Sequence, residues 1–212
     1  MDKVASRKIF EGYGLKVPQY EVLGRNTNWK IDYDFGFPLV VKPATHGSSI
    51  GLSIVDRKEG LEEAVNLAFS FDQRVVVEEY IVGREVTVGI LEEQALPVIE
   101  IVPKKRFFDY EAKYQPGMTD YIVPAKIPEK LAKKIQKVAL MAHKLLGCFG
   151  CSRVDMILDK YNLPFVLEVN TIPGMTETSL LPKAAKIQGI GFDELCIKLI
   201  KLAYEKKQKP SE

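Results

Sequence analysis

Cysteine is scarce, net charge is small, and long apolar runs are missing from this chain. Three cysteines in 212 residues argue against a disulfide framework and for a reducing compartment. Cys148 and Cys151 form one C-x-x-C, but a metal site of that type needs a second pair, and only Cys196 remains. Small, buried or half-buried thiols are expected. Thirty basic residues against twenty-eight acidic ones leave +2, so no strong field draws the molecule to nucleic acid or a membrane surface. The basic tail Lys206-Lys207-Gln208-Lys209 reads as a solvated helix end. No stretch approaches the roughly 20 apolar residues of a membrane-spanning helix, and Met1-Asp2-Lys3 does not open a signal peptide. A soluble, cytoplasmic protein is the expectation. Repeats and low-complexity segments are absent too.

What is present is a mixture of strand and helix patterns, which makes the chain α/β or α+β. A helix over the first twelve or so residues should end at Gly12 and Gly14, and an extended lead-out follows around Pro18. Phe37 to Lys42 and Leu52 to Val55 read as strands flanking a small-residue loop, Ala44 to Gly51. A helix from Glu59 to Phe69 carries Leu61, Ala64, Val65 and Ala68 on one stripe, and a strand from Val75 to Glu79 follows. Strands at Glu85–Leu91 and Leu96–Ile101 open a second lobe. Pro103 to Pro128 is long, irregular and aromatic, a composition that suits function better than disorder. Glu129 to Leu146 is the clearest helix, with Gly147 as its C-cap. Strands Ser152–Leu158 and Pro164–Asn170 flank the turn Asp159-Lys160-Tyr161-Asn162, and a helix from Phe192 to Tyr204 closes the chain.

The last pair of strands carries chemistry. Alternate residues share a face, so Arg153 lies with Asp155 and Glu168 with Asn170. A turn centred between Tyr161 and Asn162 sets Asp155 opposite Glu168 and Arg153 opposite Asn170, with Cβ atoms roughly 5 Å apart. Val154, Met156, Leu158, Leu167 and Val169 would then form the core face. Two facing carboxylates repel unless a cation or proton lies between them. With Asn170 they make an all-oxygen set suited to Mg²⁺ shared with phosphate oxygens. The alternative is a surface hairpin whose carboxylates are solvated or paired with Arg153.

Magnesium held this way calls for phosphate-binding groups elsewhere. Lys42 ends an apolar strand just before Gly47-Ser48-Ser49-Ile50-Gly51, whose glycines allow backbone N–H groups to turn toward an anion. The loop lacks the Gly-Lys-Ser/Thr of a Walker A motif. An ordinary hairpin connection is the competing reading, although a lysine buried beside the loop needs an anionic partner. Gly189-Ile190-Gly191 is only a helix-to-helix turn.

In order along the chain come Phe37-Pro38-Leu39-Val40-Val41-Lys42-Pro43, Gly47 to Gly51, Glu78-Glu79-Tyr80-Ile81, Gly83-Arg84-Glu85, Asp109 to Tyr114, Arg153-Val154-Asp155, and Leu167 to Thr176. This series resembles the D-alanine–D-alanine ligases of the ATP-grasp superfamily, from Met1 to about Tyr204. The resemblance implies an ATP-grasp fold of two α/β lobes with ATP between them, a small lobe at 1–84 and a catalytic lobe at 85–212. It implies that Lys3, Lys42 and Lys113 contact phosphate, with Ser48 and Ser49 folding over the nucleotide and Tyr114 closing the site. Glu78, Glu79, Ile81 and Glu85 would hold adenine and ribose. Asp155, Glu168 and Asn170 would coordinate two Mg²⁺ ions, or Mn²⁺. Arg153 and the Gly174 N–H would stabilise an oxyanion, while Ser179 and Leu180 would bind the carboxylate of the second D-alanine. The implied partners are ATP and D-alanine, with a homodimer as the assembly. The family's N-terminal domain, which binds the first D-alanine, has no counterpart in these residues. Nucleotide and metal binding with little dipeptide synthesis is therefore expected of this chain without that domain or a separate chain supplying it.

Overall fold

The computed structural model describes residues 2–26, 29, 33–104 and 119–208. The chain divides into two compact units, Met1–Gly83 with Pro103–Asp120, and Arg84–Val102 with Tyr121–Glu212.

In the first unit, helix α1 (Lys3–Gly12) is capped by Asp2, whose Oδ1 accepts from the Val4 and Ala5 amides at 2.9 and 3.1 Å. Strands β1 (Tyr20–Gly24), β2 (Leu39–Pro43), β3 (Ser53–Val55) and β4 (Arg74–Glu79) form an antiparallel sheet in the order β1-β4-β2-β3. The helix expected from Glu59 begins instead as a 3-10 turn, Lys58–Gly60, and α2 proper runs Leu61–Phe69. Alternation along the strands sorts the sheet's two faces. Leu39 and Val41 of β2 and Val75 and Val77 of β4 meet Leu61, Ala64, Val65 and Ala68 of α2 in one dry cluster. The intervening residues, Val76 and Glu78 with Val40 and Lys42, face the other way, where Val76 packs with Val4 of α1.

A second sheet, six-stranded, is made by β5 (Arg84–Leu91), β6 (Gln94–Ala95), β7 (Ile99–Pro103), β8 (Thr119–Ile122), β9 (Cys151–Leu158) and β10 (Pro164–Asn170), and all but the end of β7 and the start of β8 belongs to the second unit. Its order is β10-β9-β5-β7-β8, with β6 pairing β5. The strand expected over Leu96–Ile101 is broken at its start, because Pro97 has no N–H to give the ladder; pairing resumes only at Ile99. Strand β8 falls within a stretch expected to be irregular. Helix α3 (Glu129–Leu145) covers one face, burying Ile135, Ala139 and Ala142 against β5, β9 and β10. Its His143 Nδ1 lies 2.7 Å from Ser152 Oγ, which marks the even-numbered side of β9 as that face. Helices α4 (Leu180–Ile187) and α5 (Phe192–Gln208) follow, with α4 packed on β5 and α5 on α4. Cys148, Cys151 and Cys196 are free and half-buried, and burial pushes the Cys148 and Cys151 thiols up, away from nucleophilic use. No helix of the described residues is long and apolar enough to cross a membrane.

Leu61 is fully buried on α2, while Leu67 of the same helix is 46% exposed. Leu61→Ala should therefore lower unfolding free energy by about 2–5 kcal/mol, and Leu67→Ala by far less. Urea unfolding of the two variants checks this, and equal losses would contradict the packing face assigned to α2.

Candidate functional site

The hairpin β9–β10 is not in one register throughout. Near the turn Pro164 pairs with Leu158 and Val166 with Met156, but farther along Glu168 pairs with Asp155, Val169 with Val154 and Asn170 with Arg153. A bulge between Val166 and Glu168 changes the register by one residue. The expected facing of Asp155 and Glu168 is therefore present, though not by the expected route. A uniform register extended from the turn would have put Leu167 opposite Asp155 and turned Glu168 to the core side. The bulge also revises the core list: Val166 is fully buried, whereas Leu167, expected on the core face, is half-buried.

The neighbouring strand β5 completes the arrangement. Thr87 is the direct partner of Asp155, Gly89 of Arg153 and Glu85 of Ile157, so all lie on the face opposite α3. Asp155 is only 7% exposed, and its carboxylate is heavily hydrogen-bonded. Arg153 donates from Nε to Oδ1 at 2.9 Å and from a terminal nitrogen to Oδ2 at 2.8 Å. Asn170 Nδ2 donates to Oδ2 at 2.9 Å and Thr87 Oγ1 to Oδ1 at 2.6 Å. The charge of Asp155 in turn raises the Arg153 pKa, with Glu168 adding to it. Asp155 is thus paired with Arg153 in this structure.

That pairing bears on a cation's fit. The guanidinium stands where two opposed carboxylates require positive charge, which is the role a hard ion would take over. Among the described residues no group of three or more His, Cys, Asp or Glu could hold a metal. Two carboxylates and the Asn170 amide oxygen suit instead an ion that draws its remaining ligands from phosphate and water. These residues fit Mg²⁺.

Helix α4 borders the same face. A Cβ on Gly89 would lie 2.6 Å from Leu181 Cδ1, so the absent side chain lets α4 approach. Ser179 sits at the α4 N-cap, but its Oγ turns back to accept from the Thr176 amide at 3.1 Å rather than capping the helix. Gly174 belongs to this turn, since a Cβ there would come within 2.9 Å of Ser179 Oγ. Leu180 is buried. Lys183 places its ammonium 4.8 Å from the centre of the Tyr121 ring, and Tyr121 in turn feels the charges of Arg153 and Glu85.

In the first unit, the α1-facing side of the sheet carries buried charge. Glu78 is 3% exposed and accepts from Lys42 Nζ at 2.6 Å and from Arg7. Burial alone would raise the Glu78 pKa, but the charges of Lys42 and Arg7 outweigh it and hold it below the ordinary 4.5. The anionic partner that a buried Lys42 demands is therefore internal. This carboxylate, expected at the nucleotide's adenine and ribose, also holds Lys42 in place. Lys3, one turn from Arg7 on α1, donates to the carbonyls of His46 and Pro43. Arg7 was not foreseen, although its i,i+4 spacing from Lys3 was a readable signal; its Nε and one terminal nitrogen have no partner, and its guanidinium lies 4.9 Å from the Tyr20 ring centre. The second unforeseen residue, Thr87, could have been suspected as a polar residue in phase with Glu85 on an apolar strand.

The small-residue loop turns differently from the expected way. Ser48 and Ser49 adopt left-handed φ values of 55° and 58°, as does Gly51 at 68°, while Gly47 does not. Two successive non-glycine residues in that region carry strain. The loop's stem is tied down by Asp72, which accepts from the Thr45 amide and hydroxyl at 2.8 and 2.6 Å. Burial would raise Asp72, but the Thr45 hydroxyl and neighbouring amides bring it down to about 2. Glu79 Oε1 accepts from the Gln19 amide at 3.1 Å, and Ile81 is half-buried beyond β4. Lys113 and Tyr114 lie outside the described residues.

The family model described as D-ala D-ala ligase C-terminus matches residues 9–201. This chain belongs to that family. The D-alanine–D-alanine ligase of Geotalea uraniireducens (strain Rf4) is 43% identical to it over 96% of the chain and 66% of the relative. The solved D-alanine–D-alanine ligase of Bacillus anthracis complexed with ATP superposes with a TM-score of 0.86 at 33% identity, covering 99% of the chain and 68% of that structure. VanG D-Ala:D-Ser ligase of Enterococcus faecalis gives 0.82 at 35% identity over 95% and 61%. The fold is the ATP-grasp fold of these ligases. The chain spans about two thirds of the length of the curated relatives it matches.

Removing the Glu78 charge leaves Arg7 and Lys42 buried without their anion, so Glu78→Gln should cost about 3–5 kcal/mol. Because the folded-state pKa of Glu78 is depressed, its contribution is complete above 4.5 and is lost as pH falls through the lowered value. Urea unfolding between pH 7 and 3 should therefore show a shallower acid loss in the variant than in the parent chain. The Asp72 contribution follows the same sign, lost only as pH falls from 3.8 through about 2.

Proposed function

We propose that this chain carries the ATP- and Mg²⁺-binding machinery of a D-alanine–D-alanine ligase acting in peptidoglycan precursor synthesis in the cytoplasm. The observation that carries this reading is the convergence of Asp155, Glu168, Asn170 and Arg153 at the bulged end of the β9–β10 hairpin. In the reaction the γ-phosphoryl group of ATP passes to the carboxylate of one D-alanine, releasing ADP. The amine of a second D-alanine then attacks the acyl phosphate and expels phosphate. Bound Mg²⁺ would neutralise the transferring phosphoryl group.

Asp155, Glu168 and Asn170 are the residues that would hold it, as two ions or as Mn²⁺. Lys3 and Lys42 would meet the phosphates, Lys42 held in place by Glu78, and the strained Ser48–Ser49 turn would fold over them with Lys113 and Tyr114. Glu78, Glu79, Ile81 and Glu85 would take adenine and ribose. Arg153 would face the oxyanion together with the Gly174 N–H. Ser179 and Leu180 would receive the second substrate's carboxylate. Pocket residues for the first D-alanine would come from an N-terminal domain or a separate chain, and assembly would be as a homodimer. D-serine is the second reading for the incoming amine, favoured by the likeness to a D-Ala:D-Ser ligase.

ATP with Mg²⁺ should raise the thermal midpoint of this chain, with stabilisation of about 2.7 kcal/mol when ligand reaches a hundred times Kd. Asp155→Asn should remove the Mg²⁺-dependent part. Phosphate release should depend on D-alanine only when a separately expressed N-terminal domain is added, and a parallel assay with D-serine distinguishes the two amines. Vigorous turnover by the chain alone would refute the division of labour proposed here.

A further inference from the structure

Thr87 lies in the middle of β5 and is fully buried. Packing by a β-branched residue is the ordinary explanation for such a threonine, its hydroxyl being satisfied by a nearby carbonyl. A carbonyl is at hand, since Val154 O lies 3.1 Å from Thr87 Oγ1. The hydroxyl sits closer to something else. Asp155 Oδ1 is 2.6 Å away, the length of a hydroxyl hydrogen bond to an ionised carboxylate. One hydroxyl hydrogen cannot serve both acceptors fully, and the shorter, charged one takes it.

Strand register makes this contact, because Thr87 and Asp155 are direct cross-strand partners. The donors to Asp155 differ in what can move them. Arg153 and Asn170 are half-buried residues of the hairpin that also carries Asp155. Thr87 approaches from another strand, is enclosed on all sides, and has a single stiff torsion. It binds Oδ1, which also accepts from Arg153 Nε, whereas Asn170 and the terminal nitrogen of Arg153 bind Oδ2.

Resting on the metal-site reading above, we infer that Thr87 is a positioning residue for Asp155. It fixes Oδ1 from the neighbouring strand on the same face of the sheet and so presents Oδ2 to the ion. A metal-ligating carboxylate is typically oriented by such a donor behind it, and loss of that donor typically costs 10–100-fold in metal affinity.

Mn²⁺ titrated into the ADP-saturated chain and followed by electron paramagnetic resonance, with ADP alone as reference, tests this. Thr87→Val keeps the shape and removes the hydroxyl, and should weaken Mn²⁺ binding by about 10–100-fold. Thr87→Ser keeps the hydroxyl and removes a methyl group, and should bind close to the parent chain. If packing were the role of Thr87, serine would be the worse substitution; that outcome overturns the inference. Binding that survives in Thr87→Val but not in Asp155→Asn also overturns it while leaving the metal site standing. Equal binding by the parent chain and Asp155→Asn, or none by either, overturns the site reading and the inference together.

Discussion

Asp155 is hydrogen-bonded from three strands at once: Arg153 beside it on β9, Asn170 on β10 and Thr87 on β5. A carboxylate this enclosed is costly to keep charged unless its oxygens are met. The three central strands of the sheet therefore have to keep their relative registers if the charge is to remain satisfied. Everything else on this face is placed relative to that point. Gly89 stands beside Arg153 and admits Leu181, which brings the N-terminus of α4 over the same face.

The first unit solves a similar problem with opposite bookkeeping. Its buried side carries Lys42 and Arg7 against one carboxylate, Glu78. That leaves local positive charge in excess, and Arg7 has nitrogens without partners. One sheet thus buries an anion surrounded by donors, the other an anion outnumbered by cations.

Much of this was legible in the sequence because strand alternation is a strong signal. Asp155, Glu168 and Asn170 could be grouped from the polar spacing alone, and α3 from its apolar stripe. The bulge was not legible. Phe165, Val166 and Leu167 are all apolar, so hydrophobicity cannot show which of them is the extra residue, and only Val169 between Glu168 and Asn170 fixes the phase beyond it. Lys42 was readable as a buried cation, but its partner lies 36 positions away across the sheet. Thr87 stood out only by its phase with Glu85, and nothing local announces that its neighbour across the ladder is a carboxylate. Pro97 was visible, and the interruption it makes before β7 could have been foreseen.

The bulge in β10 has an effect on how the hairpin can vary. It separates a segment aligned by the turn at Asp159–Asn162 from a segment aligned by the contacts of Asp155. Because an extra residue absorbs the mismatch between them, twist and shear from the turn are taken up at Leu167 rather than transmitted to Glu168. The tip of the hairpin, with Tyr161 exposed to solvent, thus follows a different register from the strand segments that carry the carboxylates. Sequence drift at the tip can alter its shape while the spacing of the acidic pair, a few residues along the same two strands, stays as it is.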